Sequence, residues 1–233
     1  MKNPVFIENV VIFYILDVGE METPSVEDRQ HFVECLKILN TDAMWHPLPC
    51  RESEIGQISL FIEESFQNEG LQTMMVSGPP LCGKTSVLQF CISISPFEKQ
   101  IFYTNCENQD LNFLDEVPND MKKLIILDNF VFQNHNLMIP FCSEHNCSII
   151  FVTRTGDEFL DASRKHIFSK YTRYQIEEIL KEKLQNKSSC IPDEILHHIS
   201  AKIDNNHLSI PDSVQMLIEY LNGAIMQLDH QTE

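Results

Sequence analysis

Two hydrophobic rhythms divide this chain. Residues 122–129 (Lys-Lys-Leu-Ile-Ile-Leu-Asp-Asn) and 147–153 (Cys-Ser-Ile-Ile-Phe-Val-Thr) carry apolar side chains on consecutive positions, and 71–77 and 100–104 do so over shorter spans. Strands that are apolar throughout, separated by helical or loop segments, predict a parallel sheet covered on both faces. Elsewhere the spacing is three and four. Phe32, Cys35, Leu36 and Leu39 share one helical face behind a capping box at Ser25 and Asp28, and Ile55, Ile58, Phe61, Ile62 and Phe66 follow Arg51 in the same manner. After Tyr171 the strands stop. Thr172 and Gln175 form another capping box, opening a helix with Ile176, Ile179, Leu180 and Leu184 inward, and helices near 193–203 and 211–221 follow. The pattern predicts an α/β chain in three parts. Residues 1–40 form an N-terminal extension with a leading helix, 41–170 a parallel-sheet domain flanked by helices, and 171–233 a small helical domain.

One turn between these elements carries chemistry. Residues 78–85 read Gly-Pro-Pro-Leu-Cys-Gly-Lys-Thr, a full GxxxxGK[ST] sequence set between the run ending Met74-Met75-Val76-Ser77 and the helix start Ser86-Val87-Leu88. Between a strand and a helix, such glycines let backbone N–H groups curl around a polyphosphate, and the helix N-terminus adds partial positive charge. Gly78, Pro79, Pro80, Leu81, Cys82, Gly83, Lys84, Thr85 and Ser86 are therefore the expected binding stretch for a nucleoside triphosphate and Mg2+. In it Lys84 reaches the outer phosphates and Thr85 holds the metal through its hydroxyl.

A phosphate loop needs a carboxylate at the end of a buried strand to organise Mg2+ through water. Four apolar residues followed by Asp128 supply it, so Thr85 and Asp128 are the expected metal pair. The next position, where hydrolytic relatives place a second acid, is Asn129, which can hydrogen-bond water but cannot accept its proton. A missing base of this kind is worth about 10²–10⁴ in rate. Thr153 and Arg154, at the end of the fourth strand, are the candidates to face the γ-phosphate. No arginine occurs after Arg173 to return from the last helices to the phosphates. Slow turnover or none is expected.

Composition narrows the partners. With 34 acidic against 17 basic residues the net charge is −17, a field that repels a phosphate backbone and argues against broad nucleic-acid binding by this chain alone. The basic residues gather between Phe151 and Cys190, and Lys181, Lys183 and Lys187 there read as a solvated helix face. The eight cysteines show no CxxC and no regular spacing, which fits free thiols in a reducing compartment. The apolar run at 10–16 is too short to span a bilayer, and no membrane association is expected.

Two further stretches bring a family into view. Residues 48–52 (Leu-Pro-Cys-Arg-Glu), behind a helix ending Cys35-Leu36-Lys37-Ile38-Leu39 and ahead of Glu54-Ile55, form one. Residues 168–180 (Phe-Ser-Lys-Tyr-Thr-Arg-Tyr-Gln-Ile-Glu-Glu-Ile-Leu) form the other. With the phosphate loop they resemble the replication-initiator AAA+ ATPases, specifically the largest ATPase subunit of the origin recognition complex and its paralogue, the cell-division-control helicase loader. The similarity runs from roughly residue 34 to 221. It implies a P-loop AAA+ sheet domain with a C-terminal helical lid, ATP as the nucleotide, and a base pocket lined by Leu48, Pro49 and Arg51. Measured against the family, Asn129 replaces a second acid, Arg154 stands where an asparagine sensor is expected, and Val214 lies about where a lid arginine should be. Arg164 falls near the arginine-finger position. The segment between Cys106 and Met121 is short for the family's extra DNA-contacting helix, and the sequence ends at Glu233 without a winged-helix domain, so a reduced subunit or a fragment is expected.

The resemblance implies a nuclear, ATP-binding subunit of the origin recognition complex acting in DNA replication initiation and helicase loading, with weak or absent hydrolysis. Its partners would be other subunits of the complex and the replicative helicase loader, with DNA met only within the assembly. The alternatives are a fifth-subunit-like structural component that binds ATP without cleaving it, an active ATPase using a partner's arginine, a small P-loop kinase, and a nucleotide-free subunit that keeps the loop as a relic.

Overall fold

A computed structural model describes residues 26–40, 49–108, 121–130, 135–154, 162–185, 191–206 and 208–231. The chain divides into two units, Cys50–Lys170 and a second made of Met1–Pro49 with Tyr171–Glu233.

The first helix, α1 (Val26–Leu39), belongs to the second unit; the Cys50–Lys170 unit opens with α2 (Glu52–Gln67). Then come β1 (Thr73–Ser77), α3 (Lys84–Ile94), β2 (Ile101–Asn105), β3 (Lys123–Asp128), α4 (His135–Glu144), β4 (Cys147–Thr153) and β5 (Arg164–Ile167). The strands form one sheet in the order β2-β3-β4-β1-β5, every neighbouring pair parallel. All residues of β1, β3 and β4 are buried. That is why their sequences lack alternation: both faces of the sheet are covered. On one face Met75, Ile125, Leu127, Ile149 and Phe151 pack with Met138 and Cys142 of α4.

The fifth strand was not expected. Its sequence, Arg-Lys-His-Ile, is largely exposed and, among the described residues, pairs on one side only, with β1. An edge strand without a buried face leaves no apolar run to read, and charged residues there also discourage pairing with other chains. Helix α4 likewise sits where the pattern offered only a connecting segment, with Pro140 inside it.

The elements described in the second unit are all helices: α1, α5 (Arg173–Leu184), α6 (Asp193–Asn206) and α7 (Ile210–Gln231). Phe32, Cys35 and Leu39 of α1 are buried in one cluster with Ile176, Leu180 and Leu184 of α5, Leu196 and Ile199 of α6, and Leu217 and Leu221 of α7. The leading helix therefore finds cover for its apolar stripe among the C-terminal helices, and an Arg29–Asp229 ion pair at 2.6 Å adds a surface tie. At the start of α5 the Gln175 N–H donates to the Thr172 hydroxyl while the Thr172 N–H donates to the Gln175 side chain, a complete capping box. Helix α7 runs beyond 221 because Ala224 and Leu228 continue its buried stripe. Ser25 of the first capping box and the apolar run at 10–16 lie outside the described residues. Among the described residues no helix is long and apolar enough to cross a membrane.

Candidate functional site

Parallel strands deliver their C-terminal ends to one edge of the sheet, and the chemistry collects there. β1 ends at Ser77 and the chain turns through Gly78, Pro79, Pro80, Leu81 and Cys82 into α3. Three positive φ values shape the turn: Gly78 at 153°, Leu81 at 63° and Gly83 at 91°. Gly83 is the N-cap of α3 and offers no side chain to cap the helix. The first N–H groups of α3, from Lys84, Thr85 and Ser86, have no partner within the helix by its geometry, and this is the anion-receiving end of its dipole. Lys84 is buried, with Nζ donating to the carbonyls of Gly78 and Pro79 at 2.8 Å each. The ammonium is thus held inside the curl of the loop. Thr85 and Ser86 are exposed at its mouth.

Across from the loop stands Asp128, the last residue of β3 and 2% exposed. Thr85 Oγ1 donates to its Oδ2 at 2.6 Å, and Tyr103 OH, from β2, donates to the same oxygen at 2.6 Å. The Asn129 N–H donates to Oδ1 at 2.9 Å. A buried carboxylate with only neutral donors around it, and no cationic side chain paired to it among the described residues, is matched to a nearby cation. One hydroxyl and one carboxylate side by side suit Mg2+, which takes few protein ligands and completes its shell with water and phosphate oxygens. Burial and the Asp128 charge push Tyr103 far above the ordinary phenol range, so it stays a proton donor. Cys106 is raised to about 11 by burial, with Asp128 adding.

Beside Asp128 a second polar group closes the edge. Asn129 takes the left-handed backbone conformation, φ 54°, which Asn tolerates better than most residues. Its Oδ1 accepts from Arg154 Nε at 3.2 Å and its Nδ2 donates to Asn105 Oδ1 at 3.0 Å. Arg154 Nη2 donates to Glu107 Oε1 at 3.0 Å. Thr153 is buried opposite Ser77 in the β1–β4 register.

Other candidates fall elsewhere. Arg51 is 1% exposed at the start of α2; it donates to Glu54 at 2.6 Å and to the Cys82 and Ser169 carbonyls at 2.8 Å each, and its guanidinium lies 5.3 Å from the Phe168 ring centre. These contacts make it a strut between the phosphate loop and the segment after β5. Pro49 is buried, and Leu48 lies outside the described residues. Arg164 opens β5 opposite Met74, three residues before the loop-bearing end of β1, and is ion-paired to Glu64 of α2. Sequence reasoning missed Tyr103, Glu54 and Phe168. Tyr103 gave a signal of sorts, a hydroxyl-bearing residue near the end of an otherwise apolar strand.

No protein-family profile and no curated protein matches the sequence. Solved structures do match. The Drosophila origin recognition complex bound to DNA is similar over 95% of this chain and 69% of that one, at 17% identity and a TM-score of 0.62. The Aeropyrum pernix ORC1 protein in complex with DNA is similar over 85% and 69%, at 14% identity and 0.63. Cdc6p from Pyrobaculum aerophilum is similar over 84% and 66%, at 16% and 0.59. This chain has the Orc/Cdc6-like AAA+ fold. In that fold the loop at 78–86 and the Asp128 strand end occupy the same edge of the sheet, with Arg154, the residue after β4, between them.

Proposed function

We propose that this chain is an ATP-binding subunit of an origin-recognition-type assembly, acting in DNA replication initiation and helicase loading, with weak or absent hydrolysis. The observation that supports the nucleotide reading best is the 2.6 Å Thr85–Asp128 bond beside an uncapped helix N-terminus. Lys84 and the backbone N–H groups of 83–86 hold the phosphates, while Thr85 and Asp128 hold Mg2+. Held by Thr85 and Asp128, Mg2+ would supply positive charge against the phosphates. Thr153 and Arg154 face the third phosphate. Leu48, Pro49 and the Arg51 strut border the base.

Cleavage is the poorer half of the site. Asn129 orients water without taking its proton. A bound, uncleaved nucleotide still stabilises the form that binds it, which suits a clamp between subunits. Phosphate release by the isolated chain at rates ordinary for AAA+ ATPases would contradict this.

The assembly part rests on fold relatives that are themselves an origin recognition complex with DNA and an ORC1 protein with DNA. It makes other subunits of such a complex and the replicative helicase loader the partners, the nucleus the place, and DNA a ligand of the whole assembly; the −17 charge keeps this chain from gripping DNA alone. The test is co-purification with the tagged chain in ATP: initiator subunits are expected with the wild type, and their absence overturns this part. Asn129 also favours a second reading within the same assembly, a fifth-subunit-like structural component that binds ATP and never cleaves it. A small P-loop kinase is tested by phosphoryl transfer to nucleosides or nucleotides; none is expected, since the C-terminal helices carry no arginine after Arg173 to clamp a transferred phosphate.

A further inference from the structure

We propose that Tyr103 sets which cation the Thr85–Asp128 pair accepts. Its hydroxyl fills a position on the Asp128 carboxylate that a cation would otherwise bind directly, and the site thereby favours Mg2+ over Ca2+. The inference rests on the reading of 78–86 as a nucleotide site and adds to it a residue that selects the metal.

Register places the tyrosine. β2 runs beside β3 with Tyr103 paired to Ile126 and Asn105 to Asp128. Side chains alternate along a strand, and paired residues of neighbouring strands project to the same side, so Tyr103 and Asp128 share one side of the sheet. A phenol is long enough to reach forward over that two-residue step, and its OH donates to Asp128 Oδ2 at 2.6 Å. Thr85 Oγ1 reaches the same oxygen at 2.6 Å from α3, and the Asn129 N–H takes Oδ1 at 2.9 Å. Burial alone asks only that the tyrosine hydroxyl find an acceptor. Here it takes the oxygen that Thr85 already holds.

Counting lone pairs shows the consequence. An ionised carboxylate accepts at about four positions, two on each oxygen. Thr85 and Tyr103 fill those on Oδ2, and the Asn129 N–H fills one on Oδ1, so a single position on Oδ1 stays open. Ca2+ gathers about six to eight oxygens and often takes both oxygens of one carboxylate. Mg2+ gives up water reluctantly and usually keeps several molecules of it. One open position suits the O–H of a water held by the ion, and it does not suit an ion that needs the whole carboxylate. Thr85 gives its proton to Asp128 and so keeps its own lone pairs for the cation. Tyr103 thus acts through Asp128 as a positioning residue.

The experiment measures dissociation constants of the β,γ-imido analogue of ATP with Mg2+, with Ca2+ and in EDTA. The proteins are the wild-type chain, Tyr103→Phe, Tyr103→Leu and Lys84→Ala, with thermal midpoints as a folding control. The wild type is expected to bind the analogue more tightly with Mg2+ than with Ca2+. Tyr103→Phe is expected to move that ratio about tenfold toward Ca2+, while binding in EDTA stays within about twofold. Tyr103→Leu, which loses the ring as well, is expected to move the ratio in the same direction with a lower thermal midpoint. With Mn2+ as the probe, EPR line broadening by oxygen-17-labelled water is expected to report fewer bound waters in Tyr103→Phe, because Asp128 then replaces one. A wild type that prefers Ca2+, a ratio that neither substitution moves, equal weakening with both cations, or an unchanged water count overturns the role of Tyr103 and leaves the nucleotide site standing. Failure of the wild type to bind the analogue in all three conditions, matching Lys84→Ala, overturns the site and the cation preference together.

Discussion

Thr85 Oγ1 donates to Asp128 Oδ2 across 2.6 Å, which ties the first turn of α3 to the end of β3. The two residues come from different crossovers of the sheet, and their meeting is what the proposed Mg2+ site rests on. Asp128→Asn keeps the shape and removes the charge. The variant is expected to lose about 10–100-fold of the Mg2+-dependent part of ATP binding. Binding measured in EDTA should be little changed. Equal loss with and without Mg2+ would show that Asp128 acts on the fold rather than on the ion.

The Arg51 strut gives a stability prediction. Its guanidinium is 1% exposed and joins Glu54, two carbonyls and the Phe168 ring, so Arg51→Ala strands a part-buried carboxylate, the buried Cys82 carbonyl and the part-buried Ser169 carbonyl. Removing one partner of such a pair costs about 3–5 kcal/mol. A lysine keeps the charge but cannot reach three acceptors at once in the plane of a fork, so Arg51→Lys is expected to recover only part of it. Urea unfolding of the two variants is the check; a loss below about 1 kcal/mol for Arg51→Ala would make the strut idle.

Gly78 is constrained from two directions. A Cβ built there falls 2.6 Å from the Phe168 carbonyl oxygen and 2.8 Å from the Phe168 Cβ, and φ is 153°. The Phe168 N–H donates to the Ser77 carbonyl at 2.7 Å, so Phe168 cannot retreat without breaking that bond. Gly78→Ala is expected to cost at least about 1–3 kcal/mol through strain alone and to weaken nucleotide binding by shifting the loop. An alanine variant with wild-type unfolding midpoint and affinity would refute this packing.

Alkaline pH offers a test independent of any ligand. Burial and Asp128 raise Tyr103 above the ordinary phenol range and Cys106 to about 11, and burial raises Cys142 to about 12. Thiols ordinarily titrate near 9 and phenols near 10. These groups keep their protons in the folded chain at pH values where the unfolded chain has lost them. The folded state therefore binds more protons, the stabilisation is whole below about pH 9, and it declines as pH rises through the raised values. The urea midpoint is expected to be flat up to about pH 8.5 and to fall from about pH 9 to 11, with a shallower fall above about pH 10 in Tyr103→Phe. A midpoint that rises across that window contradicts the assignment.

Much of this was legible in the sequence, for identifiable reasons. β3 and β4 are buried on both faces, and their unbroken apolar runs reported it. The Thr172–Gln175 box marked the start of α5 because capping is local chemistry. β5 was invisible because Arg164, Lys165 and Ile167 are exposed on a sheet edge, where no burial shapes the sequence. The place of α1 could not be read either: an amphipathic stripe shows that a helix is covered, not by what, and the cover here is 130 or more residues away, at Ile176 and beyond. At the candidate site, a motif pointed to Lys84 and Thr85, and a strand end to Asp128. Tyr103 and the Glu107–Arg154 pair arise from parallel register, which brings together the ends of strands that sequence holds apart.

The central claim is that the loop at 78–86 grips a triphosphate, and fluorescent ATP with Mg2+ titrated into the wild-type chain and into Lys84→Ala tests it most directly. The account predicts binding in the micromolar range by the wild type, lost in the variant because the ammonium inside the loop is gone. The same weak or absent signal from both proteins would contradict it.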